Sequence, residues 1–334
     1  MDRQPRKTPG IAKFLDKNTL ALLAVAAVFA VAVNCVNPRF LTAGNLLNIL
    51  QQISVSGVLA AGMTFVIITG GIDLSAGYGV TLGVIVIGNV FLATGNPLLS
   101  MAAGFAACTL LGLVNGLIIS LTRIIPFVVT LATMSLIQGI LNLMGAGKRL
   151  NLKDPIFEFV GRSKFFGVSL TTFVMLATLI VFGVLLNNTR LGSYTYAIGS
   201  NEQNARITGL PVERCKVIIY TLSGACMGLA SILLGSRTVL VTQNSGGSSL
   251  LMDTLAAVIL GGADTAGGEG RMSGTFIGVV ILGFVSNALT LLKVPAQSQD
   301  LFKGLVIILV LLFRPLSAKL QDRRSRRPQA ARAV

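Results

Sequence analysis

The chain has 334 residues, of which 53% are hydrophobic and only 12% are charged; its net charge is +15 and its mean hydropathy is +0.79. Soluble globular domains carry about 25% charged residues, so this composition excludes an ordinary soluble domain and predicts an all-α, polytopic membrane protein. The chain contains neither histidine nor tryptophan, which excludes histidine-dependent catalytic triads and His-Glu-x-x-His zinc sites. We therefore expect no catalytic residue and no metal site.

Apolar runs predict about ten transmembrane helices, because one crossing needs about 20 predominantly apolar residues. In chain order they lie near 19–36, 52–70, 78–94, 98–121, 126–145, 168–187, 216–235, 253–263, 272–292 and 303–318. The eighth run has only about half the length of a crossing, so we interpret it as a half-helix or as part of a longer element. Some of the helices are thus expected to be short or broken.

Both ends of the chain are basic, with five Lys or Arg residues in the first 17 positions and seven from Arg314 to Val334. An even number of spans places both ends on one side, and the positive-inside rule makes that side the cytoplasm. The predicted organisation is a basic cytoplasmic N-terminus (1–18), one transmembrane domain (19–318) and a basic cytoplasmic tail (319–334). No cleavable signal peptide is expected. We expect the basic ends to meet membrane lipid and not nucleic acid.

One loop departs from the charge rule. Nine Lys or Arg residues fall on the predicted outer side, and five of them lie within 148–164. We expect this loop to contact an acidic partner outside the membrane; otherwise one span has been miscounted.

One glycine–aspartate pattern occurs twice in the chain, in two separate segments. Their shared positions are Gly70, Gly71, Asp73 and Gly77 in GGIDLSAG, with Ser75 inside it, and Gly261, Gly262, Asp264 and Gly268 in GGADTAGG. A charged side chain at the membrane centre costs about 2.5–3.5 kcal/mol, so we expect each Asp to have a structural or functional role. Glycine pairs end helices, and an Asp just beyond them can cap the next helix. A helix cap, a pathway or gate residue, and a ligand for a coupling ion all remain open for Asp73.

The longest polar interruption on the predicted cytoplasmic side is 189–216. Within it, Asn201 can cap a short helix that Gly209 and Pro211 end, and Glu202 and Arg206 can pair at i,i+4. This helix is either a solvated connector or a docking element for a cytoplasmic partner. No Gly-x4-Gly-Lys-Ser/Thr phosphate loop occurs anywhere, so we expect ATP hydrolysis only in a separate subunit and no cofactor on this chain.

Several stretches together resemble the permease subunits of ribose-type carbohydrate ABC importers. They are FLTAGNLLNILQQISVSGVLAAGMTFVI, GGIDLSAG, YAIGSNEQNARITGL and AAVILGGADTAGGEGRMSGTFIGVVILGFVSNAL, which follow in order over about residues 20–315. The resemblance implies a dimeric permease in the bacterial inner membrane. It also implies a periplasmic sugar-binding protein and an ATPase subunit, usually with two cassettes in one chain, that uses ATP-Mg.

The same resemblance assigns roles to individual residues. Segment 194–214 resembles the family's coupling loop, which implies contact with the ATPase through Gly199, Asn201, Glu202, Arg206 and Gly209. Gln203 and Asn204 stand where Ala-Ala is common in that loop, and Ala76 and Tyr78 replace the usual Val and Ser after GGIDLS. The segment VPAQSQD lacks the aromatic pair often seen in ribose permeases, so ribose is not assured as the cargo.

A neutral sugar needs amides, hydroxyls and a few rings along its pathway. Polar or aromatic residues within the predicted spans are therefore the pathway candidates, with interhelical hydrogen bonding or packing as the alternative. They are Asn115, Phe127, Gln138, Asn142 and Asn287. A nucleoside, an autoinducer-like furanone or a polyol remains an alternative cargo, and an ion-coupled secondary transporter or channel is the alternative from another class.

Overall fold

The computed structural model of the protein describes residues 17–145, 149–242, 245–295 and 298–305. Nearly all of the predicted N-terminal segment (1–18), the whole predicted tail (319–334) and most of the last predicted span (303–318) lie outside the described residues. Within the described part the chain is almost entirely helical, as the composition predicts.

The first half of the chain runs from α1 to α7. The elements are α1 (Lys17–Val36), α2 (Ala43–Gln52), α3 (Ser54–Ile68), α4 (Ala76–Thr94), α5 (Pro97–Thr122), α6 (Pro126–Gly145), β1 (Leu150–Asn151) and α7 (Pro155–Arg162). The second half continues with β2 (Lys164–Phe165), β3 (Val168–Ser169), α8 (Leu170–Asn188), α9 (Arg190–Ser200), α10 (Glu202–Ile207), α11 (Val212–Thr238), β4 (Leu240–Val241), α12 (Gly247–Leu260) and α13 (Met272–Leu291). Residues 298–305 are also helical.

Six helices of the described chain are long and apolar enough to cross a membrane, namely α4, α5, α6, α8, α11 and α13. A seventh crossing is formed if α2 and α3, which meet at a bend of 48°, count as one broken span. Two further apolar helices are shorter: Ala26–Val36 within α1, and α12. The eighth predicted run is thus a longer helix than 253–263 suggests, but its 14 residues still fall short of a full crossing.

The chain forms two compact units whose boundary falls within α13. The first unit extends to Phe284, and the second begins at Val285 and includes the helical residues 298–305.

In the first unit α11 is the central helix, and α3, α4 and α5 pack against it. Small residues allow this close packing, as they do between transmembrane helices in general. At Gly112 on α5, an added Cβ would collide with the backbone of Tyr220 and Gly224 on α11. The core is therefore built on backbone contact between neighbouring helices as much as on large apolar side chains.

The two ends of α11 carry different structures. Its 27 residues span about 40 Å. At the C-terminal end, Gly161 of α7 packs against Ser236, and β4 pairs with β1 in antiparallel fashion, Leu150 opposite Val241. At the N-terminal end, α9 and α10 pack against Val212 and Cys215. Below, these are called the α7 end and the α10 end of α11.

Candidate functional site

The first glycine–aspartate segment is a reversal of the chain inside the bundle. It occupies residues 69–75, between the end of α3 and the start of α4. Arg237 near the α7 end of α11 donates to the carbonyls of Gln51 and Gln52, the last two residues of α2 just before α3 begins. Gly71, beyond the end of α3, lies against Tyr220 near the α10 end. The next helix, α4, then runs back toward the α7 end, with Gly88 against Leu150.

Asp73 is completely buried in this reversal. Its Oδ1 accepts hydrogen bonds from the Ser75 backbone N–H (3.0 Å) and the Ser75 hydroxyl (2.6 Å), and the Ser223 hydroxyl lies 3.4 Å from its Oδ2. α4 begins at the residue after Ser75, and the Ser75 side chain caps none of the N–H groups in its first turn. Asp73 therefore fixes the residue that precedes the helix, and its cap, gate and coupling-ion interpretations all stay predictions.

The hydrogen-bond network around Asp73 reaches three further helices. Asn115 of α5 donates from Nδ2 to the Ser75 hydroxyl (3.0 Å) and accepts at Oδ1 from Thr133 of α6 (2.7 Å). Ser223 connects the same carboxylate to α11. Asn115, predicted as a pathway residue, thus lies inside a buried network that joins α4, α5, α6 and α11.

The second glycine–aspartate segment, residues 261–271, is an exposed turn. Asp264 is exposed and accepts at Oδ1 from the backbone N–H of Ala266 (2.9 Å), while its own N–H donates to the carbonyl of Glu269 (3.0 Å). The next helix, α13, begins only at Met272. Asp264 therefore caps no helix, unlike the sequence expectation, because a loop separates it from the helix it was predicted to cap.

Although 190 residues apart in the chain, the two segments touch. The backbone N–H of Gly268 donates to the carbonyl of Ile68 (2.8 Å), and a Cβ on Gly267 would lie 2.8 Å from the backbone nitrogen of Gly70. Gly77 and Gly261 serve helix packing nearby, since a Cβ at either would collide with the backbone of Gly247 or Gly274 respectively. Gly262 has a φ of +102° at the beginning of the exposed turn.

The last turn of α9 completes this contact. A Cβ on Gly199 would collide with both the carbonyl oxygen of Ile68 and the backbone nitrogen of Gly268. The hydroxyl of Tyr196 donates to the carbonyl of Gly270 (2.7 Å). We call the three segments together, 69–75, 261–271 and the C-terminal turn of α9, the junction.

Helix α10 follows α9 directly and has the predicted cap. The Asn201 side chain accepts from the backbone N–H of Asn204 (2.8 Å), and Gly209, with a φ of +79°, lies just beyond the end of the helix. Sequence analysis predicted one short helix in 189–216, but α9 is helical as well. Its mixed sequence RLGSYTYAIGS gives no clear apolar stripe, and packing of Ile198 against α10 and α11 supports the helix.

Charged side chains bind α10 to the first turns of α11. Glu202 pairs with Arg206 (2.7 Å), as the i,i+4 spacing predicts, and also with Lys216 (2.7 Å), while Arg206 contacts Glu213. Partial burial alone would raise the pKa of Glu202, but the hydrogen bonds from Lys216 and Arg206 outweigh it and lower that pKa below its ordinary value. The hydrogen bond that Arg206 donates to Glu202 raises the pKa of Arg206 in turn.

The other pathway candidates differ in their exposure. Phe127 and Asn142 are exposed on α6, and Gln138 on the same helix is half-buried. Asn287 is buried on α13 in the second unit. Among the four candidates in the first unit, Asn115 is the one whose described hydrogen bonds reach the junction.

Sequence analysis missed several residues of this site. Ser223, Thr133 and Tyr196 belong to ordinary apolar or mixed stretches, and only contacts over long sequence separations reveal them. Tyr220, buried against Gly71, has a hydroxyl without a hydrogen-bond partner among the described residues. No group of three or more potential metal ligands from His, Cys, Asp and Glu occurs in the part of the chain that the structure describes.

The sequence of the chain matches a known protein family and several individual proteins. The family described as branched-chain amino acid transport system, permease component, matches residues 45–311. The ribose import permease protein of Bacillus subtilis (strain 168) is 40% identical over 294 residues, which cover 87% of this chain and 91% of the relative. No solved structure matches the chain significantly.

Two relatives from Escherichia coli (strain K12) are similar to the chain over comparable lengths. The ribose import permease protein is 37% identical over 301 residues, 89% of this chain and 92% of the relative. The L-arabinose transport system permease protein is 36% identical over 293 residues, 87% and 89% of the two chains.

Proposed function

The chain belongs to the permease-component family of the branched-chain amino acid transport system type, and we propose that it is the permease subunit of an ATP-driven importer that carries a monosaccharide, such as a pentose, into the cytoplasm. The ribose and arabinose permeases that resemble it over 87–89% of its length support a sugar as cargo. The site of action that follows is the bacterial inner membrane, where the chain lies as a multi-pass protein.

One observation carries the coupling part of this proposal: α10 is connected through α9 to both glycine–aspartate segments. Gly199 is in backbone contact with Ile68 and Gly268, and Tyr196 is hydrogen-bonded to Gly270. An ATPase subunit that docks on α10 would therefore displace both segments together. The coupling residues in this scheme are Gly199, Asn201, Glu202, Arg206 and Gly209.

Ile207 provides an apolar contact point on α10, because 77% of its surface is exposed at the end of the helix. The Glu202–Arg206–Glu213 group beside it holds the helix against α11. We therefore place the ATPase contact on this face of α10, with ATP-Mg bound by the partner and no cofactor on this chain.

The remaining parts of the assembly follow the same scheme. A periplasmic sugar-binding protein delivers the cargo, and a second copy of this chain completes the pathway along a twofold axis. The exposed Phe127 and Asn142 of α6 are candidates for residues that face this axis. Both chain ends, and the α10 end of α11, lie in the cytoplasm.

Uptake measured in liposomes tests the energy source. The importer assembled from this chain with its ATPase and binding protein should accumulate sugar when ATP is supplied and the ion gradient is collapsed. Uptake that needs the gradient and ignores ATP would contradict an ABC importer and favour a secondary transporter. Calorimetry on the binding protein identifies the cargo, since that subunit selects the ligand.

Charge reversal on α10 tests the coupling assignment. Glu202→Arg should abolish sugar-stimulated ATP hydrolysis and uptake while the permease still inserts and assembles. The matched control is Glu158→Arg, since Glu158 also pairs at i,i+4 and its side chain is 41% exposed, against 39% for Glu202, but it lies at the α7 end. Equal loss of ATPase coupling in both variants would refute the α10 assignment.

Cysteine labelling tests the orientation. In a Cys35→Ser background the other three cysteines are buried, so Pro155→Cys on α7 and Asn204→Cys on α10 can be labelled selectively. Membrane-impermeant reagents should reach the two positions from opposite sides. Labelling of both from one side would contradict the placement of α7 and α10 on opposite faces of the membrane.

A further inference from the structure

Three phenylalanines form an exposed cluster at the α7 end of the protein. Phe159 of α7 is 55% exposed, Phe165 of β2 is 44% exposed, and Phe166 in the turn after β2 is fully exposed. The rings of Phe159 and Phe165 meet edge to face, with centroids 6.5 Å apart. We call these three residues the aromatic cluster.

The turn that carries Phe166 is not one that favours phenylalanine. β2 and β3 form a hairpin with Phe165 opposite Val168, so Phe166 and Gly167 are its two turn residues, with φ of +52° and +82°. Such turns favour Asn-Gly or Gly-Gly, and a bulky residue at positive φ is strained because its Cβ approaches the backbone. Turn geometry therefore does not explain why an aromatic residue occupies this position.

The hairpin lies directly at the end of a transmembrane helix. α8 begins at Leu170, the residue after β3, and it is long and apolar enough to cross a membrane. The start of such a helix lies near the boundary between hydrocarbon and headgroups, where aromatic side chains are enriched. Phe173, in the first turn of α8, is exposed as well, so exposed aromatic side chains occur on both sides of the start of this helix.

The cluster is also held in a fixed position. The ring of Phe157 on α7 packs edge to face against Phe91 of α4, with centroids 5.3 Å apart. A Cβ on Gly161 would collide with the carbonyl of Ser236, so α7 lies directly on the end of α11. Phe159 is thus carried by a helix packed on the bundle, and Phe165 is paired with Val168 in the hairpin.

Basic side chains flank the aromatic cluster. Arg162 and Lys164 lie between Phe159 and Phe165 in the chain and are exposed. Arg162 also lies 3.8 Å from the Glu158 carboxylate but keeps 63% of its side chain exposed. An aromatic group beside cations matches the bilayer interface, where rings enter the headgroup region and cations meet lipid phosphate. Lipid phosphate is thus an acidic group that the basic residues of 148–164 can contact.

We propose that the aromatic cluster is inserted into the outer interface of the bilayer, with lipid phosphates bound at Arg162 and Lys164. The segment from α7 to β3 then anchors the α7 end of α11 to the membrane surface. The partner is the lipid surface; docking of the sugar-binding protein on the same residues is the competing outcome of the test.

The chain contains no tryptophan, so one introduced indole is a background-free reporter of depth. Phe166→Trp, in the full chain within liposomes of phosphatidylcholine and phosphatidylglycerol, should emit at shorter wavelength than Ile207→Trp on α10, a control that is also strongly exposed. Brominated lipid should quench it severalfold more strongly than the control, and acrylamide severalfold less. Phe165→Trp provides a second reporter if Phe166→Trp fails to fold.

Three results would overturn the proposal. Emission and acrylamide quenching like those of the Ile207→Trp control would mean that the cluster faces water. A short-wavelength emission without quenching by brominated lipid would mean burial against protein. A shift that occurs only after addition of the sugar-binding protein would assign the cluster to protein docking. For the phosphate contacts, Arg162→Gln with Lys164→Gln should weaken the dependence of lipid quenching on phosphatidylglycerol content; an unchanged dependence would refute them.

Discussion

The two glycine–aspartate segments share one sequence pattern but occupy opposite environments. Asp73 is fully buried and hydrogen-bonded to Ser75 next to a helix start, whereas Asp264 is exposed and closes a turn within its own loop. The difference arises downstream of each acid, because a helix begins three residues after Asp73 but eight residues after Asp264. A local motif thus determines that the chain turns, while tertiary neighbours determine whether its carboxylate is buried.

A substitution that touches both segments should have the largest effect. Gly199→Ala places a methyl group against the backbone of Ile68 and Gly268, so neither segment can keep its position, and we expect a loss of about 3 kcal/mol in stability. The measurement is the apparent melting temperature of the detergent-solubilised protein. Gly139→Ala on α6, where an added Cβ meets nothing within 4 Å, is the control and should leave the melting temperature unchanged or raise it. A melting temperature for Gly199→Ala equal to that of the control would contradict the junction.

Removal of each carboxylate tests the contrast directly. Asp73→Ala leaves the buried N–H and hydroxyl of Ser75 without their acceptor, which costs about 1–3 kcal/mol for each unsatisfied donor. Asp264→Ala removes one exposed hydrogen bond and should cost about 1 kcal/mol or less. Thermal unfolding of the two variants under identical conditions measures the difference. Equal losses would show that the burial of Asp73 contributes nothing.

Asp73→Asn separates a cap from a charge-dependent gate. An amide oxygen accepts the same two bonds from Ser75, and Asn caps helices about as well as Asp, so stability should change by less than about 1 kcal/mol. If Asp73 acts only as a cap, sugar uptake should also be largely retained. Normal stability with abolished uptake would instead show that the negative charge is needed for transport.

Protonation of Glu202 should have the smallest effect, because it leaves both segments untouched. Its pKa is lowered from 4.5, so the unfolded chain binds this proton more tightly than the folded protein does. The stabilisation is therefore present above pH 4.5 and is lost as the pH falls below that value through the folded pKa. Solvent screening of a side chain 39% exposed limits it to about 1 kcal/mol or less. The stability difference between the wild type and Glu202→Gln should shrink below pH 4.5; a constant difference would contradict the lowered pKa.

Much of the helical arrangement could be predicted because apolar runs and their Gly or Pro boundaries are local. The predicted span 126–145 coincides with α6, and 272–292 differs from α13 by one residue. The bend between α2 and α3 was missed, since it falls at Ile53 with neither proline nor glycine to mark it. The family membership was also predicted correctly, because several ordered stretches carry it together.

The candidate site could be predicted only in parts. The cap at Asn201 and the Glu202–Arg206 pair depend on spacings of three and four residues, which the sequence displays. The contact between residues 68 and 268, and the link from Asp73 to Ser223, join positions 150 or more residues apart. Neither spacing nor composition contains that information, so the prediction treated the coupling loop and the two glycine segments as separate features.

The junction has a consequence for genetics. Its three segments meet through glycines and main-chain atoms, with Tyr196 as the one side chain named above that reaches across to the second segment. A side chain introduced at Gly199 or Gly267 would collide with backbone atoms. A second mutation that shortens a neighbouring side chain therefore cannot relieve the collision. Revertants selected for growth on the transported sugar should restore the glycine codon itself, whereas a defect at Asn115 should also yield compensating changes at Thr133.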